Sequence, residues 1–265
     1  FKMGVAGAAG ATVVSQALIF VALIIYVNRF HKVIHFSIKK IAFDKKIFKK
    51  SIRIGLPSGI QQTLVGVGMM ALMGIVSAFG TSAIAAYTVA SRLEAFTKIP
   101  VMNFSMALST FVGQNIGANK FDRVKKGFKS TLIMSGLICV ILAILIIPFR
   151  HFLIGLFTND NDVINIGANY LIIVIPFYLF FSIMFSTNGV LRGAGATLIP
   201  MFTTLISLWV VRIPLAYYLS SFMGIVGIWW SIPVAWSIGM IGALIYYSTG
   251  KWKSKAVSYT HLTLP

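Results

Sequence analysis

Long apolar segments constrain this chain more than any other feature of its sequence. Seven stretches carry about 20 predominantly apolar residues each, the length that a helix needs to cross the hydrocarbon core of a bilayer. They are predicted at residues 4–27, 55–79, 82–116, 132–149, 168–190, 198–219 and 224–247. Irregular backbone is not stable against lipid, so each stretch is predicted to be helical. The predicted fold class is therefore an all-α, polytopic membrane protein with seven transmembrane helices.

Composition agrees with a membrane protein. Of the 265 residues, 58% are hydrophobic and only 11% are charged, too few to cover the surface of a soluble domain of this size. The 23 basic residues against 5 acidic ones suggest nucleic-acid binding at first sight. However, the basic residues occur in short clusters between the apolar segments, which is typical of cytoplasmic loops. Nucleic acid is therefore not an expected partner, whereas the lipid bilayer is.

The distribution of the basic residues predicts an orientation. If residues 29–53 are cytoplasmic, alternation of the spans places 120–129, Arg192 and 251–255 on the same side. That side then carries 18 of the 23 Lys and Arg residues. Such an asymmetry follows the positive-inside rule. We therefore expect a multi-pass protein of the inner (cell) membrane, with the 31–53 segment and the C-terminus in the cytoplasm.

The segment at 31–53 is predicted to be a basic amphipathic linker. Phe43, Ile47, Phe48 and Ile52 recur at helical spacing among lysines, and Asp44 is suited to cap a helix that begins there. A helix of this type lies on the inner leaflet. The alternative is a plain solvated loop.

A short repeat suggests how the spans are grouped. Met3–Gly7 (MGVAG) and Met223–Gly227 (MGIVG) begin the first and last spans, 220 residues apart. A repeat of six spans would enter the membrane twice in the same orientation, an arrangement known in transporters. We therefore expect 1–30 to be the last helix of an N-terminal lobe and 54–256 a six-helix C-terminal lobe. The chain starts without Met, which we interpret as truncation, and 257–265 resembles a non-native tail.

Charged residues inside a span are costly and face a cavity or a partner. Glu94 and Lys98 are four residues apart on one predicted helix, which favours an ion pair. The alternative role of Glu94 is to bind a cation or proton in a hydrated cavity. Arg212 is expected to extend outward to the membrane interface, or otherwise to pair with Glu94 or an anionic substrate.

Uncharged polar residues follow prolines in several spans. Prolines free backbone carbonyls, so the helices are predicted to be kinked at Pro57, Pro100, Pro176 and Pro214. The polar residues that follow these prolines suggest either a hydrated path through the protein or hydrogen bonding between helices, and the sequence favours neither. The candidates for lining a substrate path are Gln61, Gln62, Glu94, Asn103, Tyr178, Ser182, Asn188 and Arg212.

No enzyme chemistry is expected. The sequence has no Ser/His/Asp or Cys/His set at one membrane depth. His31 and His35 lie among lysines, where a metal site is not expected. Gly193–Gly195 lacks the strand that precedes a phosphate-binding loop, and is predicted to form a tight turn between helices. Neither a catalytic residue, a metal nor a cofactor is assigned.

Five motifs in order along the chain resemble the multidrug and toxic compound extrusion (MATE) family. They are GLP at 55–57, IAAYTVASR at 84–92, VGQNIGAN at 112–119, LRGAG at 191–195 and RIPLAY at 212–217. The resemblance covers about residues 3 to 255, and the stretch at 112–119 is its most specific part. It implies twelve helices in two six-helix lobes, of which this chain would hold the sixth to the twelfth.

The resemblance also implies a function. Such proteins export cationic or amphipathic compounds by alternating access, driven by inward flow of Na⁺ or H⁺. One branch of the family carries acidic residues in the seventh and tenth helices; here those positions fall at Val65 and Phe181, which hold no cation. Another branch uses an acid in the first helix. The coupling site is therefore expected in the missing N-terminal lobe, and this chain alone is not expected to transport.

Two alternatives remain open at this point. A lipid-linked oligosaccharide flippase of similar architecture would need a basic central cavity, for which only Arg92, Lys98 and Arg212 are available. A non-transporting membrane scaffold would have no use for polar residues below proline bends.

Overall fold

The computed structural model describes residues 4–30 and 43–253. These residues are helical apart from short connections, and the all-α prediction is confirmed for them. The chain divides into two compact units, residues 1–50 and 51–265. The second unit contains the candidate site.

Most helix bounds lie near the predicted spans, but the second helix begins ten and the fourth eleven residues before the predicted starts at 55 and 132. The helices are α1 (Gly4–Phe30), α2 (Lys45–Ser77), α3 (Thr81–Gly117), α4 (Phe121–Ile146), α5 (Arg150–Gly155), α6 (Asn161–Val174), α7 (Tyr178–Gly193), α8 (Leu198–Leu205), α9 (Ile213–Met223) and α10 (Ile225–Ser248). A 3₁₀ turn (Ile175–Phe177) joins α6 to α7, and a π-helical segment (Ile206–Arg212) joins α8 to α9.

Six helical spans among the described residues are long and apolar enough to cross a membrane. They include α6 and α7 as one span and α8 and α9 as another. The helix α3 coincides with the predicted span at 82–116 but is not among the six. Its sequence carries Arg92, Glu94 and Lys98, which lower its apolar character.

The linker prediction is confirmed in one detail and revised in another. Asp44 caps α2, since its Oδ1 accepts hydrogen bonds from the backbone N–H groups of Lys46 (2.7 Å) and Ile47 (3.2 Å). However, residues 45–53 are the first turns of α2 and run into the next span without a break. Residues 31–42, with His31 and His35, and the tail at 257–265 lie outside the described residues.

The four prolines behave in two ways. Helices α2 and α3 continue through Pro57 and Pro100 without interruption. By contrast, Pro176 lies within the 3₁₀ turn and Pro214 directly follows the π-helical segment. Changes of helical type therefore occur in the two spans that hold Pro176 and Pro214.

Two glycines at the starts of helices have positive φ. Gly4, at the start of α1, and Gly224, just before α10, both have positive φ, at 50° and 60°. Glycine adopts such angles more readily than other residues. Gly195, with φ of 80°, forms the predicted tight turn between α7 and α8.

Helix α7 is the centre of the second unit and packs against α3, α4 and α10. A small residue allows close contact with α3: a Cβ placed on Gly189 would lie 2.6 Å from the carbonyl oxygen of Ser105. Beside it, the Ser105 hydroxyl donates to the carbonyl of Phe185 (2.6 Å). Small residues and polar contacts of this kind are how membrane helices approach each other closely.

Candidate functional site

A buried polar site is built around Glu94, which is only 5% exposed. Its carboxylate accepts hydrogen bonds from the hydroxyl groups of Tyr170 (2.7 Å) and Tyr178. Lys98 Nζ lies 3.4 Å from Glu94 Oε1, which confirms the predicted ion pair. Three donors therefore surround one buried carboxylate, and we call these four residues the Glu94 cluster.

The Glu94 cluster joins both halves of an interrupted span. Tyr170 lies on α6 and Tyr178 on α7, on either side of the 3₁₀ turn at Ile175–Phe177. Because one carboxylate on α3 holds both hydroxyls, it links α3 to the two helices across their break. The cluster thus fixes the local geometry of three helices.

Aromatic rings enclose the Glu94 cluster. The ring of Trp229 packs edge-on against Tyr170, with centroids 4.9 Å apart, and Tyr87 stacks on Trp229 at 5.7 Å. Trp236 packs against Tyr178 at 5.0 Å. Such rings exclude water, and electrostatic interactions are stronger where water is excluded.

Arg212 lies inside the protein, so the prediction that it extends to the membrane interface is wrong. The residue is 7% exposed, and its Nη1 lies 3.8 Å from Met69 Sδ. The reason is the π-helical segment: its wider turn brings residues five apart toward one side, and Arg212 shares the buried side with Ser207.

Three other path candidates are buried but lie apart from the Glu94 cluster. Gln61 donates to the Pro200 carbonyl (3.2 Å) and to Thr204 Oγ1 (2.8 Å). The hydroxyl of Ser182 pairs with that of Ser135 at 2.7 Å. Both are interhelical hydrogen bonds. The amide of Asn188, 1% exposed, has no partner within the described residues.

The last two path candidates are exposed. Gln62 lies on the surface of α2 and Asn103 on the surface of α3. Asn103 is one of several polar residues at helical spacing along the exposed side of α3, where Phe96, Ile99 and Met106 are exposed between them; we call this side the α3 face. Its polar members are Thr88, Arg92, Asn103, Thr110 and Gln114. By contrast, the exposed side of α4 from residue 133 onward is apolar and consists of Ile133, Met134, Leu137, Val140, Ile141, Ile144 and Leu145. Polar residues in membrane helices face a protein partner or water, so the two sides have different surroundings.

Phe181 lies among aromatic side chains. It is 3% exposed and packs against Trp236 with ring centroids 4.9 Å apart.

Sequence analysis missed Tyr170 as a member of the Glu94 cluster. Tyr170 and Tyr178 are eight residues apart, on either side of Pro176. Positions about two helical turns apart lie on one face, so two tyrosine hydroxyls at this spacing in an apolar span were a usable signal.

We expect Tyr178→Phe to lower the free energy of unfolding by about 1.5–3 kcal/mol, because it removes a buried hydrogen bond to a carboxylate. Thermal unfolding of the purified protein in detergent measures the change. Tyr217→Phe is the control, since Tyr217 is 73% exposed and its loss of a hydroxyl leaves no buried group unpaired. Equal stability of the two variants would contradict the role given to Tyr178.

Comparison with known proteins agrees with this structure. The MatE family model matches residues 57–218. The probable multidrug resistance protein YpnP of Bacillus subtilis is 33% identical over 96% of the chain, which covers 57% of YpnP. The probable multidrug resistance protein NorM of Thermotoga maritima is 32% identical over 97% of the chain, which covers 55% of that protein.

A solved structure shows the same fold. A mutant of the Vibrio cholerae MATE transporter VcmN aligns with a TM-score of 0.85 at 21% identity, over 94% of the chain and 57% of VcmN. The chain therefore spans about half the length of the proteins that it matches. The family match extends over most of the chain, and the resemblance seen in the motifs is confirmed. This membrane protein belongs to the MATE family, whose members are transporters and not enzymes.

Proposed function

We propose that the chain is the C-terminal lobe of a secondary antiporter that exports cationic or amphipathic small molecules in exchange for Na⁺ or H⁺. In this proposal residues 1–30 are the last helix of the N-terminal lobe and 54–256 form the six-helix lobe. The linker at 31–53 and the C-terminus are cytoplasmic, in an inner-membrane protein. The remaining partners are the substrate and the N-terminal lobe of the same chain.

The observation that carries the proposal is the α3 face. The exposed side of α3 is mixed, and its polar residues Arg92, Asn103 and Gln114 are costly to place against lipid, whereas the exposed side of α4 within its span is apolar throughout. We assign the α3 face to a water-lined cleft between the two lobes. In this arrangement α3 is a membrane-spanning helix, shielded from lipid along its polar side, and brings the number of spans to seven.

The coupling ion binds outside the Glu94 cluster in this proposal. Both carboxylate oxygens of Glu94 already accept hydrogen bonds, and Lys98 supplies a positive charge beside them. A Na⁺ ion needs several oxygen ligands, and three of the roughly four acceptor sites of this carboxylate are already taken by its donors. We therefore keep the coupling site in the N-terminal lobe, and Glu94 has a structural role.

The test is export by the intact transporter that carries this lobe. Everted vesicles are expected to accumulate ethidium when a Na⁺ or H⁺ gradient is applied. We expect Asn103→Leu to reduce uptake about five- to tenfold, comparable to the loss of one polar contact of about 1–1.5 kcal/mol. Ile133→Leu on the lipid side of α4 is the matched control and should have no effect.

Accumulation of ethidium without an ion gradient would contradict the antiport proposal. Uptake at the wild-type level by the Asn103→Leu variant would show that the α3 face does not line the cleft. The family match favours neither the flippase nor the scaffold.

A further inference from the structure

A recess of about 390 Å³ lies between α3 and the segment that joins α5 to α6. It is apart from the Glu94 cluster and shares none of its residues. It is lined by Ala85, Thr88, Val89, Arg92, Phe157, Thr158 and Val163. We propose that this recess binds the acidic head group of an amphiphile, a carboxylate or phosphate, through Arg92.

The charge of the recess is unbalanced within the described part of the chain. Arg92 is exposed, and no described acidic side chain forms an ion pair with it. Glu94, two residues along α3, is buried and already holds three donors. On the connection before α6, the Asp160 Oδ1 accepts from the backbone N–H groups of Asp162 (2.9 Å) and Val163 (3.4 Å). The guanidinium is thus left for an external anion.

The remaining lining fits an anion with an apolar chain. A guanidinium binds carboxylate and phosphate oxygens with two parallel hydrogen bonds. Thr158 Oγ1 accepts from the Asp160 backbone N–H (3.1 Å), which leaves its own proton available to a ligand oxygen. Phe157, Val89 and Val163 supply apolar surface beside these groups. The volume lies within the range of small-molecule sites, about 300–1,000 Å³.

This inference rests on the proposed function, because Arg92 belongs to the α3 face and so lines the proposed cleft. It also narrows the substrate class. The α3 face carries a cation and no exposed carboxylate. This lobe therefore recognises the acidic end of an amphiphile, and a cationic group, where a substrate has one, is recognised elsewhere.

The experiment measures binding of a dansyl-labelled undecanoic acid to the intact transporter in phosphatidylcholine nanodiscs. We expect Arg92→Gln to weaken binding at least tenfold, Arg92→Lys to weaken it less, and added salt to weaken the wild type because the charges are screened. The control is Arg150→Gln: Arg150 lies on α5 outside the recess, and its Nη1 donates to the Ile147 carbonyl (2.9 Å). This control should bind as the wild type does.

Two further measurements distinguish whether the bound anion is a bilayer lipid or a transported compound. Displacement of the probe by phosphatidylglycerol added to the nanodiscs identifies a bilayer lipid head group as the occupant. Retention of the probe in nanodiscs that contain phosphatidylglycerol, together with gradient-driven transport of the probe in sealed vesicles, identifies a transported amphiphile. Either result supports the assigned chemistry.

Wild-type affinity in Arg92→Gln, or equal binding of a trimethylammonium analogue of the probe, would overturn the inference. Ethidium export by Arg92→Gln is scored separately. If that export persists while probe binding is unaffected by the substitution, only the head-group site fails and the antiporter proposal stands.

Discussion

Glu94→Ala is expected to lower the free energy of unfolding by about 2–6 kcal/mol, because two buried tyrosine hydroxyls lose their acceptor at a cost of about 1–3 kcal/mol each. The substitution strands two tyrosine hydroxyls, Tyr170 and Tyr178, among aromatic rings and leaves Lys98 without its carboxylate. It also removes the link across the 3₁₀ turn at Ile175–Phe177. Thermal unfolding in detergent, followed by tryptophan fluorescence, measures the effect.

Asp122→Ala is the matched control for the loss of a carboxylate. The side chain of Asp122 is 93% exposed and lies 3.9 Å from Lys125 Nζ. An exposed pair of this kind contributes about 0–1 kcal/mol. Similar stability changes in Glu94→Ala and Asp122→Ala would show that the buried cluster does not hold the helices together.

The Glu94→Gln variant distinguishes a structural role of Glu94 from a role in binding the coupling ion. The amide keeps the shape of the carboxylate and one acceptor oxygen, so we expect a smaller loss of stability than in Glu94→Ala. Folded Glu94→Gln protein should retain gradient-driven export, since the coupling ion is placed outside the cluster. Loss of export at wild-type stability and expression would instead make Glu94 a coupling residue.

Gly189→Ala is expected to destabilise the second unit by about 1–3 kcal/mol or more, because overpacking forces side chains and backbone apart. A Cβ at this position would lie 2.6 Å from the carbonyl oxygen of Ser105 and 2.8 Å from its hydroxyl. The carbonyl belongs to the backbone of α3 and cannot rotate away. Helices α3 and α7 must therefore separate, which also strains the Ser105–Phe185 hydrogen bond.

Gly136→Ala is the control for a glycine in a neighbouring helix. Its new Cβ would meet only Leu179 Cδ2 at 3.7 Å, an ordinary van der Waals distance. This variant should unfold within about 0.5 kcal/mol of the wild type, as substitutions away from strained contacts usually do. If the two variants had equal stability, the close approach of α7 to α3 would not be a constraint on the fold.

The helices and their approximate ends follow from the sequence because bilayer thickness and hydropathy set them locally. Asp44 capping, the tight turn at Gly193–Gly195 and the Glu94–Lys98 pair follow for the same reason, since each depends on residues within about one turn. The same local reasoning placed the start of α2 too late. Its amphipathic first turns share helical spacing with the apolar turns that follow, and no residue between them stops the helix.

The partners of the buried polar groups depend on contacts that are distant in the sequence. Tyr170 and Tyr178 meet Glu94 across 76 and 84 residues, and Gln61 reaches Thr204 across 143. Arg212 was predicted to extend outward to the nearby membrane interface, whereas in the structure it is buried at the end of a π-helical segment. Residues at one membrane depth are known from the sequence, but which of them face each other is set by the rotation of each helix about its axis.

Hydropathy and short motifs are properties of the linear sequence and do not depend on contacts between distant residues. They are enough to identify a helical membrane protein, the order and approximate length of its helices, and its family. They do not show which polar residues are enclosed and which are exposed. That distinction depends on packing between helices, where close contacts such as Gly189 against Ser105 fix how each helix is rotated. For this reason Glu94 and Asn103, nine residues apart on α3, lie respectively inside the bundle and on its surface.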